Sequence, residues 1–411
     1  MRRLVLVLLL LLAGCGALFL AATDSAPLVK RSETISPNAI AQARRLFLFN
    51  DPRRMQAGVE QLVAVPVTLL DEGINSVASR VLQGRGAFVL KENTGELRLT
   101  LRAPWPRWLG ERFLNLRAGV NASQDAPRIT TAAVGTIPIP ARLAEFALLV
   151  TMRTLGFEQQ WLELRGAVRR LTFEPRHAVV LVNFVWQPAL LDQVRSVAID
   201  PAELPHIREA QERLFTLLGH RTPDTLLPLV EVLQPMFDKP IDQPRLQRRA
   251  ALLVLAVYLA NKDLAHLIPA ARDWSHPPVL TLTLRQRFDT AQHFIISAAL
   301  AAWAGEPTAD AIGLYKELND IRYGSGFSFA DLAADRAGTR FGQLVERHPE
   351  RLDALLHTGF TDAAIMPPLD GLPEYLSQRE FQRRVDGLNS PAYQRLTEEI
   401  ERRLDAMPLY Q

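Results

Sequence analysis

Apolar residues follow two different periods along the chain, and the change of period divides it into two regions. Between residues 36 and 187, helical stretches mix with two-residue alternation, as at residues 96–101 and 113–120. Such alternation predicts strands with one buried face, and the Asn93-Thr94-Gly95 sequence predicts a hairpin turn. From residue 188 onward, the spacing is helical almost throughout. We therefore predict an α+β fold, with an antiparallel sheet of about five or six strands at 36–187 and a mainly α-helical domain at 188–411.

Proline and glycine separate the predicted helices of the second region. These helices are expected at residues 189–198, 202–218, 223–236, 243–260, 285–304, 308–322, 328–346 and 349–357, with a final helix near 391–405. Residues 279–284 alternate between apolar residues and threonine, which predicts a strand. That strand could add an edge to the sheet of the first region or serve as an extended connector. In the first region, Ser36-Pro37 has the form of a helix N-cap followed by proline.

The N-terminus carries an apolar stretch without charge at residues 4–22, preceded by Arg2 and Arg3. This length suits a membrane-crossing helix, and the arginines favour a cytoplasmic N-terminus. We predict a signal anchor at 1–23, a tether at 24–35, a bacterial inner-membrane location and a periplasmic position for the bulk of the chain. The alternatives are a lipoprotein signal, because Leu12-Ala13-Gly14-Cys15 has the form of a lipobox, and a soluble secreted protein.

Composition excludes several classes of protein. The 411 residues include 47 basic and 44 acidic side chains, for a net charge of +3, so nucleic acid is not an expected partner. Cys15 is the single cysteine, which excludes an internal disulfide framework and a cysteine-based zinc site. The inner membrane, through residues 4–22, is the predicted partner, with an envelope lipid or glycan as a further one. Trp105 and Trp108 could face such a lipid or glycan, or pack on their own core.

Three predicted helices of the second region carry acids and a histidine at helical spacing. The rows are Asp289 with His293, Glu317 with Asp320 beside Lys316, and Asp331 with Asp335. Residues three or four apart share one helix face, and the small residues around these rows allow close helix packing, so the rows could meet in one interior site. Carboxylates and histidine on facing helices can bind a metal or act as acid and base. They can also form a structural network, with Asp331 in a capping box opened by Ser328.

The same residues resemble a known family. The segments Asp289-Thr-Ala-Gln-His293-Phe294, Lys316-Glu317-Leu-Asn-Asp320 and Asp331-Leu-Ala-Ala-Asp335-Arg-Ala-Gly338 resemble, in order, the motifs of YfiM-type bacterial envelope lipoproteins. A fainter likeness to VanZ-like membrane proteins covers the same positions. The resemblance spans residues 286–342. It implies a bacterial envelope location and a meaningful set of His, Glu and Asp side chains, and it implies no particular reaction.

Two functions therefore remain open at the level of sequence. The first is a non-catalytic envelope maintenance, assembly, lipid-binding or glycan-binding factor, in which the polar rows are structural. The second is a metal-dependent hydrolase acting on an envelope lipid or glycan. In the hydrolase, His293, oriented by Asp289, and Lys316 would be catalytic. Four carboxylates would bind a divalent cation, preferentially Mg²⁺ or Mn²⁺ because oxygen ligands are in excess: Glu317, Asp320, Asp331 and Asp335.

Overall fold

The computed structural model describes residues 19–50, 55–103, 110–122, 127–154, 156–187, 201–222, 225–238, 243–305 and 326–411. The described chain combines helices with antiparallel sheets, which confirms the α+β class. It divides into two compact units, Met1–Val194 and Arg195–Gln411. Within the described ranges, no helix is long and apolar enough to cross a membrane. Most of the predicted anchor, including Cys15, lies outside those ranges.

The described residues of the first unit form two antiparallel sheets and not the single sheet predicted from the sequence. Its strands are β1 (Glu60–Pro66), β2 (Arg85–Leu90), β3 (Thr94–Arg102), β4 (Phe113–Asn121), β5 (Ile129–Val134), β6 (Ile137–Pro138), β7 (Val168–Glu174) and β8 (Val179–Val185). Strands β2 to β6 form one sheet in chain order, whereas the second sheet has the order β1-β8-β7. The difference arises because β1 pairs with β8, in the register Glu60 to Val185, far along the chain.

The helices that lie wholly within the described part of this unit are α1 (Pro37–Phe49), α2 (Val67–Leu82), α3 (Ala141–Thr154) and α4 (Glu158–Ala167). The predicted start of α1 is confirmed, since the Ser36 side chain accepts a hydrogen bond from the Ala39 amide and Pro37 follows it. The Ser36 hydroxyl also donates to Glu72 of α2, which joins the two helices. Helix α4 was not predicted, because its apolar residues do not gather on one face.

Residues 24–35, predicted as a tether, are instead bound along the five-stranded sheet. The Leu28 amide donates to the Asn115 side chain, and the Val29 amide donates to the Thr100 hydroxyl, both at 3.0 Å. Further along, the buried Asn75 side chain donates to the Ser32 carbonyl. A polar segment resembles a linker in sequence, but here buried polar side chains of the sheet and of α2 satisfy its backbone.

The second unit is mainly helical. Its described helices are α5 (Leu204–Gly219), α6 (Leu229–Phe237), α7 (Pro244–Leu259), α8 (Phe288–Ala304), α9 (Phe329–Arg347), α10 (Pro349–Thr358), α11 (Asp362–Ile365), α12 (Gln378–Arg384) and α13 (Pro391–Asp405). The helices predicted at 189–198 and 308–322 lie outside the described residues. Strand β10 (Thr281–Thr283) pairs in parallel with β9 (Leu226–Pro228), so it is neither an edge of the first unit's sheet nor a simple connector.

Phenylalanine rings hold the centre of the second unit together. Phe341 of α9 lies between Phe294 of α8 and Phe237 of α6, with ring centroids 5.3 and 5.8 Å away. Phe360, which follows α10, completes the group at 6.2 Å from Phe341. Aromatic pairs at these separations add to the stability gained from burying their area. This core fixes α8 and α9 side by side, and those two helices carry the polar rows.

Candidate functional site

Helices α8 and α9 approach each other so closely that two glycines of α9 touch the backbone of α8. A Cβ atom on Gly338 would overlap the carbonyl oxygen of Phe294 and lie 2.8 Å from its carbonyl carbon. A Cβ atom on Gly342 would lie 2.9 Å from the Cβ atom of Ala301. The close packing predicted from the small residues therefore occurs, and it allows short polar side chains of the two helices to meet.

The centre of the site is a buried set of three side chains, His293, Ser297 and Asp335. His293 Nδ1 lies 3.0 Å from Asp335 Oδ1, and the Ser297 hydroxyl donates to the same oxygen at 2.8 Å. Because a carboxylate oxygen accepts, the proton of this histidine hydrogen bond is on Nδ1. Asp335 Oδ2 is buried and has no hydrogen-bond partner among the described residues. One carboxylate of α9 thus binds two successive positions on the facing side of α8.

Asp331 lies one turn before Asp335 on the same face of α9. Its amide donates to the Ser328 hydroxyl at 3.1 Å, which confirms the predicted N-cap of this helix. Its carboxylate lies 3.7 Å from His293 Nε2 and 4.0 Å from Arg287 Nη2. These separations exceed hydrogen-bond distance, so the contribution of Asp331 to the histidine and the arginine is electrostatic.

Arg287, at the N-cap position of α8, gathers a second group of polar side chains. It forms two hydrogen bonds with the Asp289 carboxylate, at 3.0 and 2.7 Å, and two with Glu374, at 2.8 and 2.7 Å. The Tyr375 hydroxyl donates to Asp289 at 3.2 Å. The hydrogen bonds from Arg287 lower the pKa of Asp289 to about 2. Asp289 is therefore a charged partner of Arg287 at neutral pH and has no proton to exchange with a substrate.

The structure brings together four of the seven predicted site residues, namely Asp289, His293, Asp331 and Asp335. The other three, Lys316, Glu317 and Asp320, lie outside the described residues. The proposed role of Asp289 changes, because Asp335, and not Asp289, provides the hydrogen bond to His293 Nδ1. Asp289 shares a helix face with His293, but the close packing of α8 and α9 brings the Asp335 carboxylate within hydrogen-bond distance of the His293 ring.

The sequence patterns do not identify Arg287, Glu374 and Tyr375 as members of the site. The two-residue separation of Arg287 and Asp289 offered a weak local indication of an ion pair. Glu374 and Tyr375 are more than 80 residues further along the chain and precede α12, and no spacing rule connects them with α8. Together these residues extend the polar cluster from the buried histidine outward to a half-exposed tyrosine.

The described part of the cluster has the chemistry of an ion-pair and hydrogen-bond network. It contains the carboxylates of Asp289, Asp331, Asp335 and Glu374 together with Arg287 and His293. Over the described ranges, no group of three or more His, Cys, Asp or Glu side chains is arranged to hold a metal ion. A buried histidine held at Nδ1 by a carboxylate can act as an acid or base if a substrate reaches Nε2. The same arrangement also fixes two helices in register.

Comparison of the chain with models of known protein families, with curated proteins and with solved structures gives no match. The resemblance to YfiM-type lipoproteins and VanZ-like proteins therefore stays a prediction that rests on the motifs in the sequence.

Proposed function

We propose that this chain is a membrane-anchored, periplasmic protein of the bacterial envelope and acts without catalysis, with its α+β unit binding lipid at the surface of the anchoring membrane. The observation that carries the proposal is an exposed apolar stripe on α3. Residues 4–22 would provide the anchor, and the resemblance of residues 286–342 to envelope lipoproteins supports the location.

Helix α3 has no buried residue, although it is rich in apolar side chains. Leu143, Phe146 and Val150 are 53%, 62% and 42% exposed, and their spacing places them in one stripe. The exposed Arg142 and Arg153 border that stripe on one side, where they could meet anionic lipid headgroups. An amphipathic helix of this kind gains free energy when its apolar side chains enter the boundary between headgroups and acyl chains.

The end of the apolar N-terminal stretch is attached to the unit close to the start of this helix. The amide and the hydroxyl of Thr136 both donate to the Ala21 carbonyl at 3.0 Å. The neighbouring Gly135 is so close that a Cβ atom there would lie 2.5 Å from the same carbonyl oxygen. Helix α3 begins at Ala141, five residues after Thr136. If residues 4–22 cross a membrane, the stripe therefore begins near its surface.

The polar cluster of the second unit supports a structural role. Asp289 is bound to Arg287, and Asp335 binds both His293 and Ser297 across the interface between α8 and α9. These contacts satisfy polar groups that are costly to bury alone, and they fix the position of one helix along the other. A non-catalytic protein would retain the cluster for this reason.

Photo-crosslinking tests the lipid contact in the full chain. Phe146→p-benzoylphenylalanine keeps an aromatic side chain in the stripe and reacts with its neighbours under light. In vesicles that contain phosphatidylglycerol, we expect lipid adducts at position 146, detected by mass spectrometry. The matched control is Glu92→p-benzoylphenylalanine, at an exposed polar site in the tip between β2 and β3, where we expect no lipid adduct.

Two results would contradict the proposal in different ways. Adducts to protein and not to lipid at position 146 would show that another polypeptide covers the stripe. Loss of the chain from vesicles after a carbonate wash would instead contradict the anchor at residues 4–22, whatever α3 contacts.

The metal-dependent hydrolase is the second candidate, and one observation favours it. Asp335 Oδ2 is buried without a hydrogen-bond partner in the described part of the chain, and a carboxylate oxygen of this kind can bind a cation. Glu317, Asp320 and Asp331 would complete that site, and Lys316 would be catalytic beside it.

Thermal melting of the full chain in detergent distinguishes the two functions. For the non-catalytic protein, we expect the same melting temperature with chelator, Mg²⁺ or Mn²⁺, because no cation binds the native state. A metal-dependent rise that Glu317→Gln abolishes would favour the hydrolase, since a ligand of the native state raises its stability by mass action. Glu398→Gln, at an exposed site on α13, is the matched control for removal of one carboxylate.

A further inference from the structure

The second unit has a cavity of about 370 Å³ on the side of α9 that carries its arginines. Arg336, Arg340 and Arg347 of α9 line it, and Arg351 of α10 joins them. Arg340 and Arg347 follow Arg336 by four and eleven residues, so the three side chains lie along one face of α9. The cavity therefore collects four guanidinium groups from two consecutive helices.

Carboxylates of α13 neutralise two of these four groups. Arg340 donates to Asp405 at 2.7 Å and to Glu401 at 2.5 Å, and Arg336 lies 3.7 Å from Glu401. Both acids are thus used by the arginines nearest to α13. The far end of the cavity holds the remaining positive charge.

That charge belongs to Arg347 and Arg351. Within the described ranges, Arg347 has no ion pair or hydrogen bond from its guanidinium group. Arg351 donates to the main-chain oxygen of Gln411 at 2.5 Å, and no described side-chain carboxylate forms an ion pair with it. The cavity thus has two guanidinium groups that form no ion pair with a described side-chain carboxylate.

A buried hydroxyl in the cavity wall also lacks an acceptor. Thr339 is 2% exposed and lines the cavity, and its Oγ1 makes no hydrogen bond with any described residue. Native proteins rarely leave a buried hydroxyl unsatisfied, because the lost hydrogen bond to water is not replaced. An acceptor oxygen on a bound anion would satisfy Thr339, and the negative charge of the anion would attract Arg347 and Arg351.

We propose that this cavity binds a phosphate monoester through Arg347, Arg351 and the Thr339 hydroxyl. The four arginines outnumber the two α13 carboxylates that pair with them, which favours an anion, and planar guanidinium groups bind phosphate oxygens in pairs. The volume lies in the range of small-molecule sites. Its lining is mostly polar, with Leu344 as an apolar exception, and this excludes an apolar ligand. The phosphate could belong to a soluble metabolite or to a phospholipid headgroup, since both present the same group.

Binding can be measured by thermal melting and calorimetric titration of the full chain in phosphatidylcholine nanodiscs, with glycerol 3-phosphate and inorganic phosphate as probes. We expect a saturable rise in melting temperature with glycerol 3-phosphate. Arg347→Gln combined with Arg351→Gln should weaken binding about 100-fold, because each substitution removes a charge-assisted hydrogen bond. The matched control is Arg383→Gln with Arg384→Gln, which removes two exposed charges at the end of α12 and should leave the affinity unchanged.

The outcomes separate the source of the phosphate from the existence of the site. If glycerol 3-phosphate does not bind but phosphatidic acid in the nanodisc raises the melting temperature, and the double variant removes that rise, the ligand is a lipid headgroup. Chloride at equal ionic strength giving the same shift would overturn the proposal, since screening alone would then explain it. Equal binding by the double variant and the wild type would overturn it as well.

Discussion

Asp335→Ala is expected to lower the free energy of unfolding of the second unit by about 4 kcal/mol, because it leaves buried polar groups without their partner. The substitution removes the acceptor for His293 Nδ1 and for the Ser297 hydroxyl. Both donors are buried and would lose a hydrogen bond that water cannot replace. Urea denaturation followed by circular dichroism would measure the loss as a lower midpoint with an unchanged slope.

Asp335→Asn is the control for this prediction, since it keeps the side-chain shape and one carbonyl oxygen. Asp335→Asn should lower the free energy of unfolding clearly less than Asp335→Ala does, if the hydrogen bonds accepted by Oδ1 account for most of the stabilisation. A double-mutant cycle with Ser297→Ala should show coupling between the two positions, because both single substitutions remove the same hydrogen bond. Additive losses in that cycle, or an alanine variant as stable as the wild type, would show that the network does not stabilise the fold.

Gly338→Ala is expected to destabilise the second unit by about 3 kcal/mol, although alanine is the better helix former. The added methyl group would overlap the Phe294 carbonyl oxygen. That obstacle is the backbone of α8, which cannot move aside by changing a rotamer. The two helices would have to separate, and the hydrogen bonds of Asp335 to α8 would lengthen with them. Thermal and urea unfolding would both report the change.

Gly73→Ala provides the opposite case in a helix interior. Gly73 lies within α2, and a Cβ atom there would have no heavy atom within 4 Å. We expect this substitution to stabilise the first unit by about 0.5–1 kcal/mol through reduced chain entropy. If both alanine variants were stabilised to the same degree, α8 and α9 would not be in the close contact described here.

Local sequence patterns predict the helices and strands of the fold better than they predict which of these elements pack or pair with each other. The cap at Ser36, the hairpin of β2 and β3, and the bounds of α9 and α13 each depend on a few neighbouring residues, and each was found. The pairing of β1 with β8 joins segments more than a hundred residues apart, and alternation does not specify which strand lies alongside. The binding of residues 24–35 was missed for the same reason, since Asn75, Thr100 and Asn115 provide its partners from distant positions.

The sequence predicts which site residues share a helix face, but it does not predict which partners they bind. Four-residue spacing placed Asp289 with His293 and Asp331 with Asp335, and small residues indicated the close packing of α8 and α9. The choice of partner depended on tertiary distances. Arg287 binds Asp289, and His293 is hydrogen-bonded to Asp335 and not to Asp289. Glu374 and Tyr375 belong to a segment that no local pattern links to the site.

The bound course of residues 24–35 limits how far the protein could reach. Twelve free residues would have allowed about 40 Å of travel away from an anchored N-terminus. Hydrogen bonds at Leu28, Val29 and Ser32 fix this segment to the unit and remove that reach. The Thr136 hydroxyl also donates to the Ala21 carbonyl. If residues 4–22 lie in a bilayer as proposed, the α+β unit must stay close to the membrane surface. The unit could contact the leaflet next to which it is anchored, but it could not reach a distant layer of the envelope.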